Sequence, residues 1–159
     1  MQLRTTEASR AFAALLSVMS RLEQVLTAEM ESETGMTLDR YGILLVLAQA
    51  DGGVMRPSEL ADSLPLTRSG TTRLIDRLEA DGLVERRTCD ADKRGCLIGL
   101  TPAGQEEFRR AGRVHLRGID EHLGSHVSAE DLSELSRILE RVAAGLGAGA
   151  PSGSTSAVS

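Results

Sequence analysis

A short charged run, "TCDADKRGCLIG" at residues 88–99, carries the first side chains whose types suggest chemistry. It lies between "GLVERR" and "CLIGLT", whose composition is typical of two paired strands. Basic groups bind phosphate oxygens, and an arginine at a hairpin tip suits the negative potential of a narrow DNA minor groove. Asp92 can accept a hydrogen bond from Arg94 and fix its direction. The alternative is a soluble charged turn. The basic residues of this hairpin are Arg86, Arg87, Lys93 and Arg94, set against Asp90 and Asp92.

The segment before the hairpin, "RSGTTRLIDRLEAD", predicts a helix with a second polar and basic surface. Its apolar stripe, Thr71, Leu74, Ile75 and Leu78, should face a core. Hydroxyl and guanidinium groups on the other side suit base edges and phosphates in a major groove. A solvated face with weak ion pairs is the alternative, and the acids Asp76, Glu79 and Asp81 should keep the second half of the helix away from phosphates. The candidate DNA-contacting residues of this helix are Arg68, Ser69, Thr72, Arg73 and Arg77, with Arg86, Lys93 and Arg94 added from the hairpin.

The remaining chain supplies the elements that must position these groups. Apolar residues at spacings of three and four predict helices, with Thr37, Thr67 and Ser128 as N-caps and Pro102 in a first turn. Gly35, Gly52-Gly53 and Gly82 are predicted to end helices. The predicted order is a helix at 7–33, a second helix up to Gly52, a short helix from Pro57, the helix after Thr67, two strands, a helix from Thr101 to about Leu123, and a last helix after Ser128.

This order predicts a mainly α fold with a small β-hairpin wing, that is, a winged helix–turn–helix with flanking dimerisation helices. Residues 37–100 would form the DNA-binding lobe. Residues 1–36 and 101–146 would form a helical dimerisation layer, because their apolar stripes are too extensive for the small lobe to cover and suit a second copy of the chain. Residues 147–159 hold one large apolar side chain, Val158, and are predicted to be disordered.

Composition limits the class of protein. The chain has 159 residues and a formal net charge of −5, which argues weakly against nucleic-acid binding, although the local distribution of charge decides. Lys93 is the single lysine among 18 basic residues.

No apolar run approaches the roughly 20 residues of a membrane span, and the N-terminus lacks the apolar core of a secretory signal. We expect a cytoplasmic, nucleoid-associated protein without membrane contact. No nucleophile–base group is evident, so neither enzyme activity nor a cofactor is predicted.

Two cysteines and three histidines are the other reactive side chains. Val84 should lie opposite Leu100 or Ile98, so paired residues have an even sum and Cys89 and Cys96 point to opposite faces unless a bulge intervenes. An intramolecular disulfide is therefore not expected, although thiol-redox sensing stays an alternative. His115, His122 and His126 have spacings of seven and four without a completing cysteine, so no metal site is predicted.

The run "TTRLIDRLEADGLVERRTCDADKRGCLIGLTPAG" resembles the signature of the MarR (multiple antibiotic resistance regulator) transcription factors. That signature places a recognition helix before a wing with D-K-R-G, here residues 92–95, and a strand ending in L-T-x-x-G, here residues 100–104. The order of the outer helices also matches, so the resemblance covers residues 7 to about 146.

The resemblance implies a homodimeric repressor, or less often an activator, that binds double-stranded DNA. Arg94, held by Asp92, would then reach the minor groove, and Arg73 with its neighbours would meet the major groove. The family often senses small phenolic or anionic effectors between the dimer layer and the DNA-binding lobe; Arg21, Arg40 and Tyr41 are weak candidates for such a contact. A winged-helix module that binds protein instead of DNA is the competing interpretation, and the arginine-tipped wing argues against it.

Overall fold

The computed structural model describes residues 6–89 and 92–147; at residues 88, 89 and 92–95 it describes the backbone alone. The chain divides into two compact units, Met1–Ile119 and Asp120–Ser159. The first unit holds most of the helices and the only sheet of the described residues. The second holds the last residues of one long helix, a short 3-10 turn and the C-terminal helix. The predicted disordered tail, 147–159, lies outside the described residues apart from Gly147.

The described residues form six α-helices: α1 (Glu7–Thr34), α2 (Leu38–Gln49), α3 (Pro57–Asp62), α4 (Arg68–Ala80), α5 (Pro102–His122) and α6 (Ala129–Gly145). The caps fall where the sequence predicts them. The Thr37 and Thr67 side chains accept from backbone N–H groups of α2 and α4, and Ser128 accepts from the backbone of Asp131. The Asp131 carboxylate accepts from the Ser128 hydroxyl at 2.7 Å, so it stabilises the capping side chain rather than the cap backbone. Gly35 adopts φ 71°, the left-handed conformation that ends α1.

The sheet has three antiparallel strands in the order β1 (Val54–Met55), β3 (Asp92–Leu100), β2 (Val84–Cys89). The sequence predicts only the β2–β3 hairpin, because a strand of two residues leaves no readable alternation. The predicted register is confirmed, with Val84 opposite Leu100 and Arg86 opposite Ile98. A register shift follows Thr88, and Cys89 pairs with Asp92 rather than with Cys96. We call β2, β3 and their connection the wing.

The core of the first unit lies where α2, α4 and the sheet meet. The predicted stripe of α4 is confirmed: Thr71, Ile75 and Leu78 are buried, and Leu74 packs against the same cluster. On α1, only Leu26 and Met30 are buried. Aliphatic side chains dominate this cluster, in a chain whose only aromatic residues are Phe12, Tyr41 and Phe108. Its fully buried members include Met30, Ile43, Leu44, Leu47, Leu60, Ile75, Leu78, Val84 and Ile98.

The outer helices expose large apolar side chains in each unit. On α1 these are Phe12, Leu15, Leu16, Val18, Met19 and Val25. On α6, none of whose residues is buried, and at its C-cap they are Leu135, Ile138, Leu139, Val142 and Leu146. Both sets recur at spacings of three and four, so each helix has an apolar face that is exposed among the described residues.

Helix α1 corrects one expectation. By length and composition alone it is apolar enough to cross a membrane, whereas the sequence was expected to hold no such run. The reason is that the residues between its large apolar side chains are mostly uncharged alanines and serines and a glutamine. Residues 11–28 carry only Arg21 and Glu23 as charged groups. The same composition suits a helix whose apolar face packs against another helix.

Candidate nucleic-acid interface

The outward face of α4 is the surface on which the predicted DNA-contacting residues meet. The Thr67 hydroxyl accepts from the Gly70 N–H at 3.1 Å and fixes the start of the helix. Because Thr71, Ile75 and Leu78 anchor one side in the core, the other side is turned outward. Its exposed residues are Arg68, Ser69, Thr72, Arg73, Asp76 and Arg77. The Thr72 hydroxyl donates to the Arg68 carbonyl at 3.0 Å and keeps its lone pairs for a further donor.

The basic side chains of this face differ in their partners. Arg68 forms an ion pair with Asp62 of α3 at 2.7 Å, with both side chains well exposed. Neither Arg73 nor Arg77 forms an ion pair with any described residue, so no described carboxylate occupies their guanidinium donors. The sequence does not predict this pair. Asp62 lies six residues before Arg68, and no local pattern indicates that their side chains meet.

Arg86, the candidate DNA-contacting residue on β2, forms ion pairs within the protein. Its guanidinium donates to the Asp76 carboxylate at 2.6 Å and also to the Glu79 carboxylate. The hydrogen bond to Asp76 is the main cause that raises the pKa of Arg86 above its ordinary value. Arg87, the next residue, lies on the opposite face of the strand and pairs with Glu85 at 2.6 Å.

The third acid near the end of α4 is also paired. Asp81 accepts from the guanidinium of Arg40, which lies in the first turn of α2. The expectation that Asp76, Glu79 and Asp81 repel phosphates is thus modified, because all three are paired: Arg86 shares one positive charge between Asp76 and Glu79, and Arg40 pairs with Asp81. Charge repulsion from the second half of α4 is correspondingly weaker than the helix sequence alone suggests.

The wing residues Asp92, Lys93 and Arg94 lie on β3, but their side chains fall outside the described residues. The backbone shows that β3 extends to Asp92, so these residues continue the strand that pairs with β2. The orientation of Arg94 by Asp92 stays a prediction. Of the two cysteines, Cys96 is half-buried with a free thiol, and the side chain of Cys89 lies outside the described residues.

The three weak effector candidates are not equivalent in the structure. Arg21 is exposed on α1, and Arg40 is held by Asp81. Tyr41 is buried: its ring lies 5.6 Å from that of Phe108 and 4.9 Å from that of His115, both on α5. Burial raises the pKa of the Tyr41 hydroxyl. Tyr41 therefore serves first as a core residue that joins α2 to α5.

The histidines lie in different surroundings. His115 packs beside Tyr41, and burial lowers its pKa. Its Nδ1 atom is buried and makes no hydrogen bond within the described residues. His122 ends α5, and His126 is exposed in the 3-10 turn Gly124–His126 of the second unit.

A cavity of about 330 Å³ opens in the first unit between the end of α2, the sheet and the first half of α5. Two guanidinium groups border it, Arg87 and Arg109, and each also pairs with an acid of its own element. None of Arg21, Arg40 and Tyr41 lines it. The lining residues are Leu47, Ala48, Gly52, Gly53, Arg87, Leu100, Gln105, Phe108 and Arg109.

Comparison with known proteins agrees with this geometry. The MarR family model matches residues 34–95, which run from the end of α1 into the wing. YfiV of Bacillus subtilis, an HTH-type transcriptional regulator, is 32% identical over 111 residues, covering 66% of this chain and 68% of that protein. YdgJ of the same organism, also an HTH-type transcriptional regulator, is 29% identical over 130 residues, or 82% of this chain and 77% of that protein.

Solved structures extend the match to nearly the whole chain. AbsC, a MarR family transcriptional regulator from Streptomyces coelicolor, superimposes with a TM-score of 0.80 at 30% identity, covering 93% of this chain and all of that one. Sco3205 of the same organism, solved in complex with DNA, gives a TM-score of 0.79 at 30% identity over 91% of this chain and 94% of that one. Fold and interface together define a winged helix–turn–helix transcriptional regulator that binds DNA. The chain belongs to the MarR family.

Proposed function

We propose that this regulator is a homodimeric, sequence-specific repressor that reads DNA with the outward face of α4 and with the tip of the wing. The observation that carries the proposal is the pattern of ion pairs on α4. Arg73 and Arg77 are exposed and unpaired among the described residues, whereas the acids of the same helix are paired with arginines from other elements. Free guanidinium groups beside hydroxyls on one exposed helix face match the donors that a major groove requires.

Individual contacts follow from this pattern. Arg73 and Arg77 would bind base edges or phosphates, with Ser69 and Thr72 as their hydroxyl neighbours. Arg68 can leave its exposed pair with Asp62 at little cost, because such pairs contribute little in water. Lys93 and Arg94 would enter the minor groove, with Asp92 orienting Arg94.

Dimerisation is supported by the apolar faces of α1 and α6, which one chain leaves exposed. A second copy can cover them by a two-fold symmetric contact. Residues 1–36 and 101–146 would thus form the dimerisation layer, and 37–100 the DNA-binding lobe. Two copies of α4 related by a two-fold axis require a pseudo-palindromic operator with half-sites about 34 Å apart, one turn of the double helix.

Release by a small effector completes the proposal. The cavity bordered by Arg87 and Arg109 has an apolar wall formed by Leu47, Leu100 and Phe108. That combination fits a small anionic compound with an apolar body, such as a phenolic or aromatic acid. Because Arg87 lies on a wing strand and Arg109 on α5, an occupant could alter the position of the wing relative to α5. A cytoplasmic location beside the nucleoid follows from this role.

Two measurements test the proposal. Light scattering at micromolar concentration should give about twice the 16.9 kDa mass of the chain. Footprinting on a duplex selected by the protein from a random pool should then show two protected half-sites in successive turns on one side of the DNA. A single asymmetric half-site bound by a monomer would refute the homodimeric reading, and failure to enrich any sequence would refute the specificity.

A further inference from the structure

We propose that Arg86 does not contact DNA but is a positioning residue. Its charge acts as an internal counter-ion for the acids of α4, so that α4 can approach the duplex. Its hydrogen bonds join the wing to α4. This inference rests on the proposed function of α4 as the DNA-reading helix. It reverses the role that the sequence predicts for Arg86, whose place in a basic hairpin makes it a natural candidate for a phosphate contact.

The terminal nitrogens of Arg86 donate to acids of the same protein. One terminal nitrogen donates to Asp76 at 2.6 Å and the other to Glu79, so both ends of the guanidinium are engaged by the protein. The side chain is 39% exposed, less than those of Arg68 at 72% and Asp76 at 54%. A phosphate could reach only the donors that the two carboxylates leave, so Arg86 offers fewer donors to DNA than an unpaired arginine does.

The charged side chains of α4 balance one another. With its C-cap, the helix carries three arginines (Arg68, Arg73, Arg77) and three acids (Asp76, Glu79, Asp81), so its own side chains sum to zero. Asp76 and Glu79 are three residues apart and share one face, close to the arginines that would meet DNA. Arg86 supplies one positive charge between these two carboxylates. Without it, they would lie next to the phosphate backbone with no partner from the wing.

The register of β2 fixes the position of Arg86 relative to the core. Val84 and Arg86 lie two residues apart on β2 and therefore point to the same face of the sheet. Val84 is buried in the core, and Arg86 opposes the fully buried Ile98 in the register. The strand is thus anchored beside the point where its arginine reaches α4. Two hydrogen bonds from a planar group to two acids one helical turn apart fix the direction of the wing relative to α4 more firmly than one would.

A double-mutant cycle separates this role from a direct DNA contact. The probe is a duplex that the wild-type protein selects from a random pool, measured against a scrambled duplex by fluorescence anisotropy. The proteins are wild type, Arg86→Met, the acid-free variant Asp76→Asn/Glu79→Gln, and the variant with all three changes. Circular dichroism and urea unfolding establish that each is folded under the assay conditions.

If Arg86 is a counter-ion, Arg86→Met weakens binding to the selected duplex about tenfold or more in the wild-type background. In the acid-free background the same change has little effect, because there is no charge left to neutralise. If Arg86 instead contacts a phosphate, its removal weakens binding at least as much in the acid-free background, where the guanidinium is freed for DNA. Equal losses in the two backgrounds would overturn the proposal.

Two further variants sharpen the result. Arg77→Met, on α4 and unpaired among the described residues, is the matched control, and its loss should be of similar size in both backgrounds. Arg86→Lys keeps the charge but cannot bridge both acids in the same plane, so it should recover only part of the affinity and less of the discrimination between selected and scrambled duplex. Full recovery of both by lysine would contradict the positioning role. If wild type selects no duplex at all, the proposed function fails, a result distinct from an additive cycle in a protein that binds.

Discussion

Gly104, in the first turn of α5, packs directly against the backbone of Leu83: a Cβ built on Gly104 would lie 1.9 Å from the Leu83 carbonyl oxygen. The same junction is fixed by Thr101, whose Oγ1 accepts from the Gly104 N–H at 2.9 Å and donates to the Gly82 carbonyl at 2.7 Å. The L-T-x-x-G motif therefore packs the start of α5 against the turn between α4 and β2. This contact fixes the base of the wing.

Gly104→Ala should strongly destabilise the protein. The contacted atom is backbone and cannot rotate away, so the turn or the helix must shift, and we expect a loss of about 3 kcal/mol or more in the free energy of unfolding. Urea unfolding measures it. Gly42→Ala is the matched control, because its Cβ would meet only the Leu64 side chain at an ordinary 3.5 Å inside a helix. The control should be neutral or slightly stabilising; equal stability of the two variants would contradict the assigned role.

The pH dependence of stability should report the buried His115. Burial lowers its pKa in the folded state, so the unfolded chain takes up a proton first as the pH falls. The stabilisation that depends on neutral His115 is complete above the unfolded pKa of about 6.5 and is lost progressively as the pH falls below it. Urea unfolding at pH 8 and pH 5.5, at one chain concentration, should show a larger drop for wild type than for His115→Phe. Parallel profiles would mean that His115 carries no such linkage.

The apolar face of α1 should control the oligomeric state. Leu16, 54% exposed in the single chain, lies on this face with Phe12 and Met19. Leu16→Glu should place a charge in the dimer contact and shift light scattering towards the monomer mass, with operator binding weakened in parallel. Ser17→Glu adds the same charge outside the arc that holds the exposed apolar side chains of α1, at 100° per residue, and should leave the mass of the dimer unchanged. A dimer that persists in Leu16→Glu would exclude this face.

Caps and periodicity made most of the fold predictable. Thr37, Thr67 and Ser128 are local signals that act within one helical turn, and the structure has them at the helix starts the sequence predicts. The stripe of α4 and the even-sum register of the hairpin likewise depend on neighbouring residues. Strand β1 could not be predicted in this way, because its two residues become a strand only through pairing with Gly99 and Ile98.

Ion pairing was the part that local sequence could not indicate. Arg86 is ten residues from Asp76, and Arg40 is 41 residues from Asp81. Which arginine neutralises which acid depends on how β2 and α2 pack against α4. The sequence therefore identifies the basic face but does not rank its members, and the structure alone separates Arg73 and Arg77, which have no ion pair with a described residue, from Arg86, which has two.

The wing and α4 should contribute differently to binding. Arg94→Ala removes a charge from a groove in which width matters more than base identity, so binding to every duplex should weaken by about 1–3 kcal/mol. Asp92→Ala should act in the same direction more mildly, because Arg94 would keep its charge but lose its orientation. Titrations of selected and random duplexes measure both. Wild-type affinity of Arg94→Ala would show that the wing tip is only a soluble turn.

The most direct test of the account is the ratio of affinities for the selected duplex and for its single-base variants, measured for wild type and Arg73→Ala. Arg73 lies on the exposed face of α4 without an ion pair among the described residues, and we assign its guanidinium to a base edge. We predict that Arg73→Ala relaxes this discrimination by about 1–3 kcal/mol at one or two base positions of each half-site, while its binding to random duplex changes much less. An unchanged ratio at every position, with wild-type affinity retained, would contradict the assignment of the outward face of α4 to the major groove.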